Sequence, residues 1–585
     1  MVDKDLIEMG QGERKADLLI RNGLLVNVIT GEIYKADVAV GKDKIVATGD
    51  LSKMKANRTI DAAGKYVVPG LVDSHIHVEV TKLSITRFAE LVLPHGTTSV
   101  MTGLDQIAAV SGLKGMRLFL DEAKNTHLKV FTGVAVKLPY TTPSSTIGHE
   151  LGPEEHRIAQ KWKEVIGTWE TTSDFILTGD ADAYEAVDMA YQNKILPHGH
   201  CPVLTGPRLA AYLTVGIRSD HESISKDEAL EKVRNGLYVL IRETPVAPNM
   251  EQVIKIVTEE KIDPRHVCLC TDDINVKSLF DNGHLDNLVR KAVKYGVSPI
   301  EAIQMVTINP AEAYRMDHLI GSIAPGKSAD IILVDDLRRF RVSMVISSGE
   351  QIAEGGRMLK EYVPPKRPKW LLNTFRVPHL EPLDLAVKSP YKSKRVKVIS
   401  MFVDEKNNFY RFKRETTLDV EGGLVKSNPR EDVLYVSIVE RYSGKGLRST
   451  AFISGFNMAG GAVATSLSPD DENIVSIGTN LEDMAHVINY ISEKQGGQAI
   501  VKDGKVLAEL GLPIGGICTD LPAVEVRKKE EELNDAIRAL GSRMELPFMA
   551  MIFLPITAIP EYAMTDRGLV ECATQKYINP VLGPA

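Results

Sequence analysis

Two imidazoles one residue apart, His75 and His77, stand at the end of an apolar run that begins at Val67 and passes through Pro69-Gly70. In an extended strand, residues i and i+2 share a face, so both rings point the same way and can grip one metal ion through neutral nitrogens. Alone, His-x-His is a weak signal, because short motifs recur by chance. Four stations downstream give it weight: Glu170 in Gly167-Thr168-Trp169-Glu170, His200 in Pro197-His198-Gly199-His200-Cys201, His221 in Ser219-Asp220-His221-Glu222, and Asp272 in Cys270-Thr271-Asp272-Asp273. Imidazole and carboxylate donors suit divalent iron, manganese or zinc, and a carboxylate set between two ions lets them share one water. The ordered set His-x-His, Glu, His, His, Asp, each near a strand end, is what a two-metal hydrolase needs.

Those donors must be carried by a frame. Apolar runs at Tyr66–Val72, Thr98–Met101, Lys129–Val136, Phe175–Leu177, Leu196–His200, Gly216–Ser219, Tyr238–Arg242 and Val267–Cys270 alternate with helical patterns. Such alternation is the signature of an α/β fold of the (β/α)8, TIM-like kind, whose chemistry sits at the C-terminal ends of the strands. On either side, short apolar runs separated by tight turns occupy Ala16 to Lys65 and Gly321 to Ile352. They predict a small composite β-sandwich, begun over residues 1–66 and finished over 319–365, with the barrel over 67–318 between its halves. The Pro- and Lys-rich stretch Val363–Lys369 then opens a C-terminal α/β domain, 366–585, with strands such as Arg395–Phe402 and Val433–Val439 and helices over Leu481–Gln495 and Ala523–Leu540. The Met-rich run from Met544 to Phe553 reads as core or interface packing.

The chain has 585 residues, 44% hydrophobic and 25% charged, with a net charge of −7 and no long block of one sign. That is ordinary globular composition with no electrostatic footprint for a nucleic acid or a membrane surface. No apolar leader or membrane-length run is present, which predicts a cytoplasmic protein. Five cysteines without a framework point to reduced thiols, and Cys268-x-Cys270 to buried small residues.

From Ala16 to Leu569 the chain resembles the adenine deaminase family of the amidohydrolase superfamily. The matching passages include Pro69–Glu79, Pro94-His95-Gly96, Gly216–Ser223, Cys270–Asp273, Gly283–Asp286, Asn309–Glu312, Gly478–Met484 and Met564–Leu569. The resemblance implies a binuclear site with two divalent ions, Mn2+, Fe2+ or Zn2+. His75, His77 and Asp272 would hold the buried ion, His200 and His221 the more exposed one, and Glu170 would bridge them. A hydroxide held there would attack an electrophilic ring carbon, with Asp272 shuttling its proton to the departing nitrogen. Adenine would become hypoxanthine, and the protein would be a homodimer or larger. His198 sits where the family has an acid, so His200 is the preferred ligand. His95 reads as a turn residue, and Asp220 as first or outer sphere alike. Glu222 would face away if its strand continued. Glu170 removes the need for Lys137 as a carboxylated bridge, and whether Cys201 contributes stays open.

Departures from the family concentrate where substrate is read. Glu79-Val80-Thr81 replaces Glu-Ser-Ser, Gly103-Leu104-Asp105-Gln106 replaces Asp-Pro-His-Glu, His198–Val203 replaces Asp-Gly-His-Ala-Pro-Gly, and Pro469-Asp470-Asp471-Glu472 replaces His-Asp-Ser-His. Glu79, Asp105, Gln106 and Asp273 are the candidate substrate-binding groups. Lost polar contacts change which ring a site accepts. Two hydrolytic readings follow: deamination of adenine or a related 6-aminopurine, and hydrolysis of another small cyclic amide, lactam or lactone. A silent binding scaffold is the third reading, disfavoured by the complete donor set.

Overall fold

The computed structural model describes residues 2–404 and 410–585. Its centre is eight parallel strands: β1 (Leu71–Ile76), β2 (Thr97–Thr102), β3 (Lys129–Ala135), β4 (Val165–Thr172), β5 (Leu196–His200), β6 (Ser219–Asp220), β7 (Tyr238–Arg242) and β8 (Val267–Cys270). β1 to β5 pair in sequence order as one sheet and β6 to β8 as a second. The Arg218 N–H donates to the Pro197 carbonyl at 2.8 Å and the Asp272 N–H to the His75 carbonyl at 2.9 Å, so hydrogen bonds cross both seams between the sheets. Inward-facing Val72, Met101, Phe131, Ile166, Trp169, Leu240 and Cys270 pack on one another, while helices such as Asp105–Ala123 and Leu285–Lys294 bury their apolar faces on the outside. Cys268 and Cys270 are core residues.

Three expected strands differ, and of these Gly216–Ser219 is merely displaced, to Ser219–Asp220. The run Tyr66–Val72 is two strands in two sheets: Tyr66–Pro69 pairs antiparallel with Ile331–Val334, and β1 begins after a break at Gly70. A Cβ at Gly70 would lie 2.2 Å from Thr98 Oγ1, so only glycine lets the chain cross between the sheets there. Phe175–Leu177 lies in a helix, Ser173–Thr178, closed by Gly179 in the left-handed conformation. Three apolar residues fit one helical turn as well as a short strand, and the real strand, β4, is the less apolar text just before.

The β-rich stretches on either side of the parallel strands share a nine-stranded sheet, joined where Tyr66–Pro69 lies between Ala16–Asn27 and Ile331–Val334. The C-terminal part carries a ten-stranded sheet covered by the helix Leu481–Glu493. Backbone bonds between Lys82, Ser84 and Thr519, and the Arg367 guanidinium forked between Glu122 and Asp520, fasten it to the parallel-strand region. No helix among the described residues is long and apolar enough to cross a membrane.

One buried cation shapes the segment that reaches over the strand ends. Arg411 donates to the backbone carbonyls of Tyr562 at 2.6 Å, Ile556 at 2.7 Å, Ile559 at 2.5 Å and Phe553, and among the described residues no carboxylate is in hydrogen-bonding range. Burial pushes its pKa down to about 10, still far above neutrality, so the fork stays charged. Lysine cannot copy a planar fork that meets four acceptors. Arg411→Ala should lower the unfolding free energy by about 3 kcal/mol in urea melts, and limited proteolysis should cut between Phe553 and Tyr562 first.

Candidate metal centre

The six side chains singled out by spacing converge at the C-terminal ends of the parallel strands. The Nε2 atoms of His75 and His77 are 3.4 Å apart. Glu170 Oε1 lies 3.0 Å from His77 Nε2, 3.5 Å from His75 Nε2 and 3.7 Å from His221 Nε2. Its other oxygen is 3.5 Å from His200 Nδ1, and Asp272 Oδ1 is 3.7 and 3.6 Å from the Nε2 atoms of His75 and His77. Donor atoms of His75, His77 and Glu170, of His75, His221 and Asp272, of Glu170, His200 and His221, and of His77, Asp272 and Asp273 each fall within 4.8 Å of one another, close enough to hold a metal ion. All of them are imidazole or carboxylate, a set that fits a divalent ion of the iron, manganese or zinc type.

Local backbone and packing hold this geometry. Glu170 and Asp272 both sit at positive φ, +41° and +49°, a strained conformation that turns each side chain off the end of its strand. Trp169 stacks under the His75 ring at 4.2 Å, and it fits only because Gly103 and Gly133 lack side chains: a Cβ on Gly103 would lie 2.4 Å from the indole and one on Gly133 2.8 Å from the Trp169 Cβ. Burial, helped by His221, pushes His75 down to about 4 and keeps it neutral. His221 moves up to about 9, because Glu222, Glu170 and Asp272 outweigh the burial that opposes it. Binding a cation must displace such protons, so affinity rises with pH.

Two charged residues, Arg242 and Lys232, escaped the sequence reading of the site. Arg242, the last residue of β7, donates to Glu222 Oε1 at 2.6 Å and to Asp272 Oδ2 at 3.1 Å. Glu222 would face away only if its strand continued, but β6 ends at Asp220, so the following turn brings Glu222 within 3.2 Å of His221 Nε2. Lys232 is fully buried and donates to Asp220 Oδ2 at 2.8 Å, to Glu228 Oε1 at 2.7 Å and to the Cys201 carbonyl at 2.8 Å. Asp220 in turn accepts from Cys201 N–H and Sγ and from the Glu222 N–H, tying the His200 turn to the His221 turn. Cys201 is thereby committed to Asp220, and His198 to Ser219 at 2.9 Å through Nδ1. Lys137 pairs with Asp180 and Asp182.

Above the donors opens a cleft of about 1000 Å3, mouth included, lined by Asp105, Gln106, Tyr140, Asp273, Tyr410, Asp470, Phe553 and Ile556 among others. Asp105 Oδ1 is 3.3 Å from His77 Nδ1. Burial and the neighbouring Asp272 push the Asp273 carboxyl up to about 8. Glu79 is not on the cleft wall: it is wholly buried behind it, accepting the Ile107 N–H at 3.3 Å, because the strand ends at Ile76 and a 3-10 turn over Val78–Thr81 carries Glu79 inward. The Met-rich run supplies Phe553 to the wall, a site role beyond core packing, and Ile556 just after it joins the lining.

Residues 66–352 match the amidohydrolase family, a class of metal-dependent hydrolases, while 409–576 match the adenine deaminase C-terminal domain. Adenine deaminase 4 of Rhizobium meliloti (strain 1021) is 44% identical over 98% of this chain and 96% of its own. Adenine deaminase 1 of Desulfotalea psychrophila is 43% identical over 99% of this chain and 98% of its own, and adenine deaminase 1 of Latilactobacillus sakei is 42% identical over 99% and 98%. The chain belongs to the adenine deaminase family, hydrolases of carbon–nitrogen bonds other than peptide bonds.

Removing the Lys232 ammonium strands the buried Asp220 charge, so Lys232→Met should cost about 3 kcal/mol of unfolding free energy in urea melts. Arg242 bears on pH. Burial opposes ionisation of Asp272 and Glu222, but the guanidinium leads the charges that hold both carboxyls below their usual range. A carboxylate depressed in the folded protein stabilises it above the unfolded pKa and loses that contribution as pH falls through the folded one. Arg242→Gln should therefore move the acid limb of both thermal stability and metal retention to higher pH, measured by melting and metal analysis across a pH series.

Proposed function

We propose that this protein deaminates adenine or a related 6-aminopurine at a binuclear centre. The observation that carries it is the convergence of four imidazoles on Glu170 with Asp272 alongside. His75, His77, Glu170, His200, His221 and Asp272 are the residues that would hold two divalent ions. When bound, the ions supply Lewis acidity and ionise a hydrolytic water near neutral pH. Asp272 accepts the proton of the attacking water and returns it to the amino group, which leaves as ammonia while hypoxanthine remains. Arg242 fixes the Asp272 carboxylate through Oδ2 and leaves Oδ1 turned to the imidazoles. Asp105 orients His77 through Nδ1, and Asp273 lines the cleft. The relatives' names favour this reading over hydrolysis of another cyclic amide, lactam or lactone.

The frame is read in the same way. The hydrogen bonds at both seams support a closed (β/α)8 barrel over 67–318, with the nine-stranded sheet as a satellite domain from 1–66 and 319–365, and 366–585 as a C-terminal domain. The manganese- or iron-loaded protein should convert adenine to hypoxanthine and ammonia and hold about two ions per chain. Asp272→Asn should lose about a thousandfold in kcat while staying folded. Undiminished turnover in that variant, or no turnover of any aminopurine by the loaded parent, contradicts the proposal.

A further inference from the structure

Behind the donors lies a buried carboxylate that is not itself a candidate ligand. Asp73, in the middle of β1, is completely buried, and among the described residues the one basic side chain within ion-pairing distance is the equally buried His284, with Nε2 3.2 Å from Oδ2. The Asp73 oxygens act on backbone. Oδ1 accepts the N–H groups of His75 and Thr271, each at 3.3 Å, and Oδ2 accepts the Thr271 hydroxyl at 2.6 Å. β1 pairs with β2 at Asp73 and again at Ile76 with a register shift between, and the His75 N–H falls in that gap. Asp272 follows Thr271 directly, and its N–H donates to the His75 carbonyl at 2.9 Å. One carboxylate therefore tethers both segments from which His75 Nε2 and Asp272 Oδ1 face each other at 3.7 Å. His284 is clamped in its turn. Its Nδ1 lies 2.7 Å from the Thr97 hydroxyl at the start of β2, its backbone N–H donates to Asp286 Oδ1 at 2.7 Å, and Asp286 Oδ2 accepts from Arg290 at 2.8 Å. Gly283 permits this turn: it sits at φ +92°, and a Cβ there would lie 2.5 Å from the Asp286 carboxylate. With the Thr97 hydroxyl donating to Nδ1, the Nε2–H is left to donate to Asp73.

We propose that His284 is a positioning residue of the metal centre. It bonds to none of the six donor side chains; it holds Asp73, and Asp73 holds the backbone at His75 and Thr271 so that the His75 and Asp272 side chains meet. Without the ring, a buried carboxylate loses its partner, and it must move or take up a proton at the expense of the backbone bonds it accepts. Partners that stand behind metal ligands set their orientation, and losing one costs about ten- to a hundredfold in metal affinity. This rests on the reading that the six side chains hold metal, but it concerns affinity and ligand geometry and is tested apart from turnover.

The test is cobalt titration of the metal-free full chain, parent and variants, with the visible spectrum of the bound ion reporting ligand geometry and urea melts reporting folding. His284→Phe keeps a ring and removes both nitrogens; it should bind Co2+ at least about tenfold more weakly and with a shifted spectrum. His284→Gln returns an amide N–H near the place of Nε2, and it should recover the parent spectrum and an affinity within about threefold of the parent. Asp73→Asn turns the acceptor that faces His284 into a donor and should lose about tenfold as well, which keeps the test open if His284→Phe misfolds. A role confined to stability would lower the urea midpoint and leave cobalt affinity and spectrum at the parent values, and that result overturns the proposal. So does a loss in His284→Gln as deep as in His284→Phe. A parent that binds no cobalt defeats the metal-centre reading itself, whereas a parent that binds it beside unaltered variants defeats this inference alone.

Discussion

Everything at the strand ends answers to one carboxylate. Glu170 lies within 3.0 to 3.7 Å of ring nitrogens from four imidazoles, carried by three different strands or the turns that follow them. Burying so many ionisable groups together is unfavourable unless opposite charges interleave and cations replace the protons. The strained backbone at Glu170 and Asp272, the Trp169 ring under His75 and the Arg242 bridge between Glu222 and Asp272 all keep the donors converged against their tendency to spread. Stability is thus given up locally and restored by the surrounding core.

Beyond that shell lies a second layer of charge. Lys232 and Asp220 form a buried pair that, apart from the Lys232 bond to Glu228 on its own helix, bonds to the turns after β5 and β6. A pair so placed adds little net stability of its own, since desolvation offsets the attraction, but it fixes how two separate turns meet. His200 and His221 come from those turns, so their separation is set by a residue that touches neither ring.

How much of this could be read from the residues depended on whether the signal was local. The donors His75, His77, His200, His221 and Asp272 each end an apolar run, and strand periodicity alone put them on one edge. Glu170 was found through its place in the order, even though the apolar triplet at Phe175–Leu177 drew the strand assignment a few residues too far along. Arg242 did close a recognised run, and a charge ending a buried strand was the clue that could have flagged it. Lys232 gave no such clue: four residues after Glu228 on a helix it looks like a solvated surface pair, and only the packing of that helix against β6 and β7 buries it. Asp470 was reached only through the family resemblance, and Phe553 is invisible as a site residue until the distant C-terminal part is folded over the cleft.

The Arg411 anchor bears on how such a pocket can diversify. Its four acceptors are carbonyl oxygens, which every amino acid supplies, so the grip is indifferent to the identities of the residues it holds. Side chains along 553–562 are therefore at liberty to drift, reshaping the pocket roof from one descendant to the next while its path in space is conserved by a single distant guanidinium. Chemistry and selectivity are mechanically decoupled: the floor keeps the reaction, and the roof is free to explore new rings.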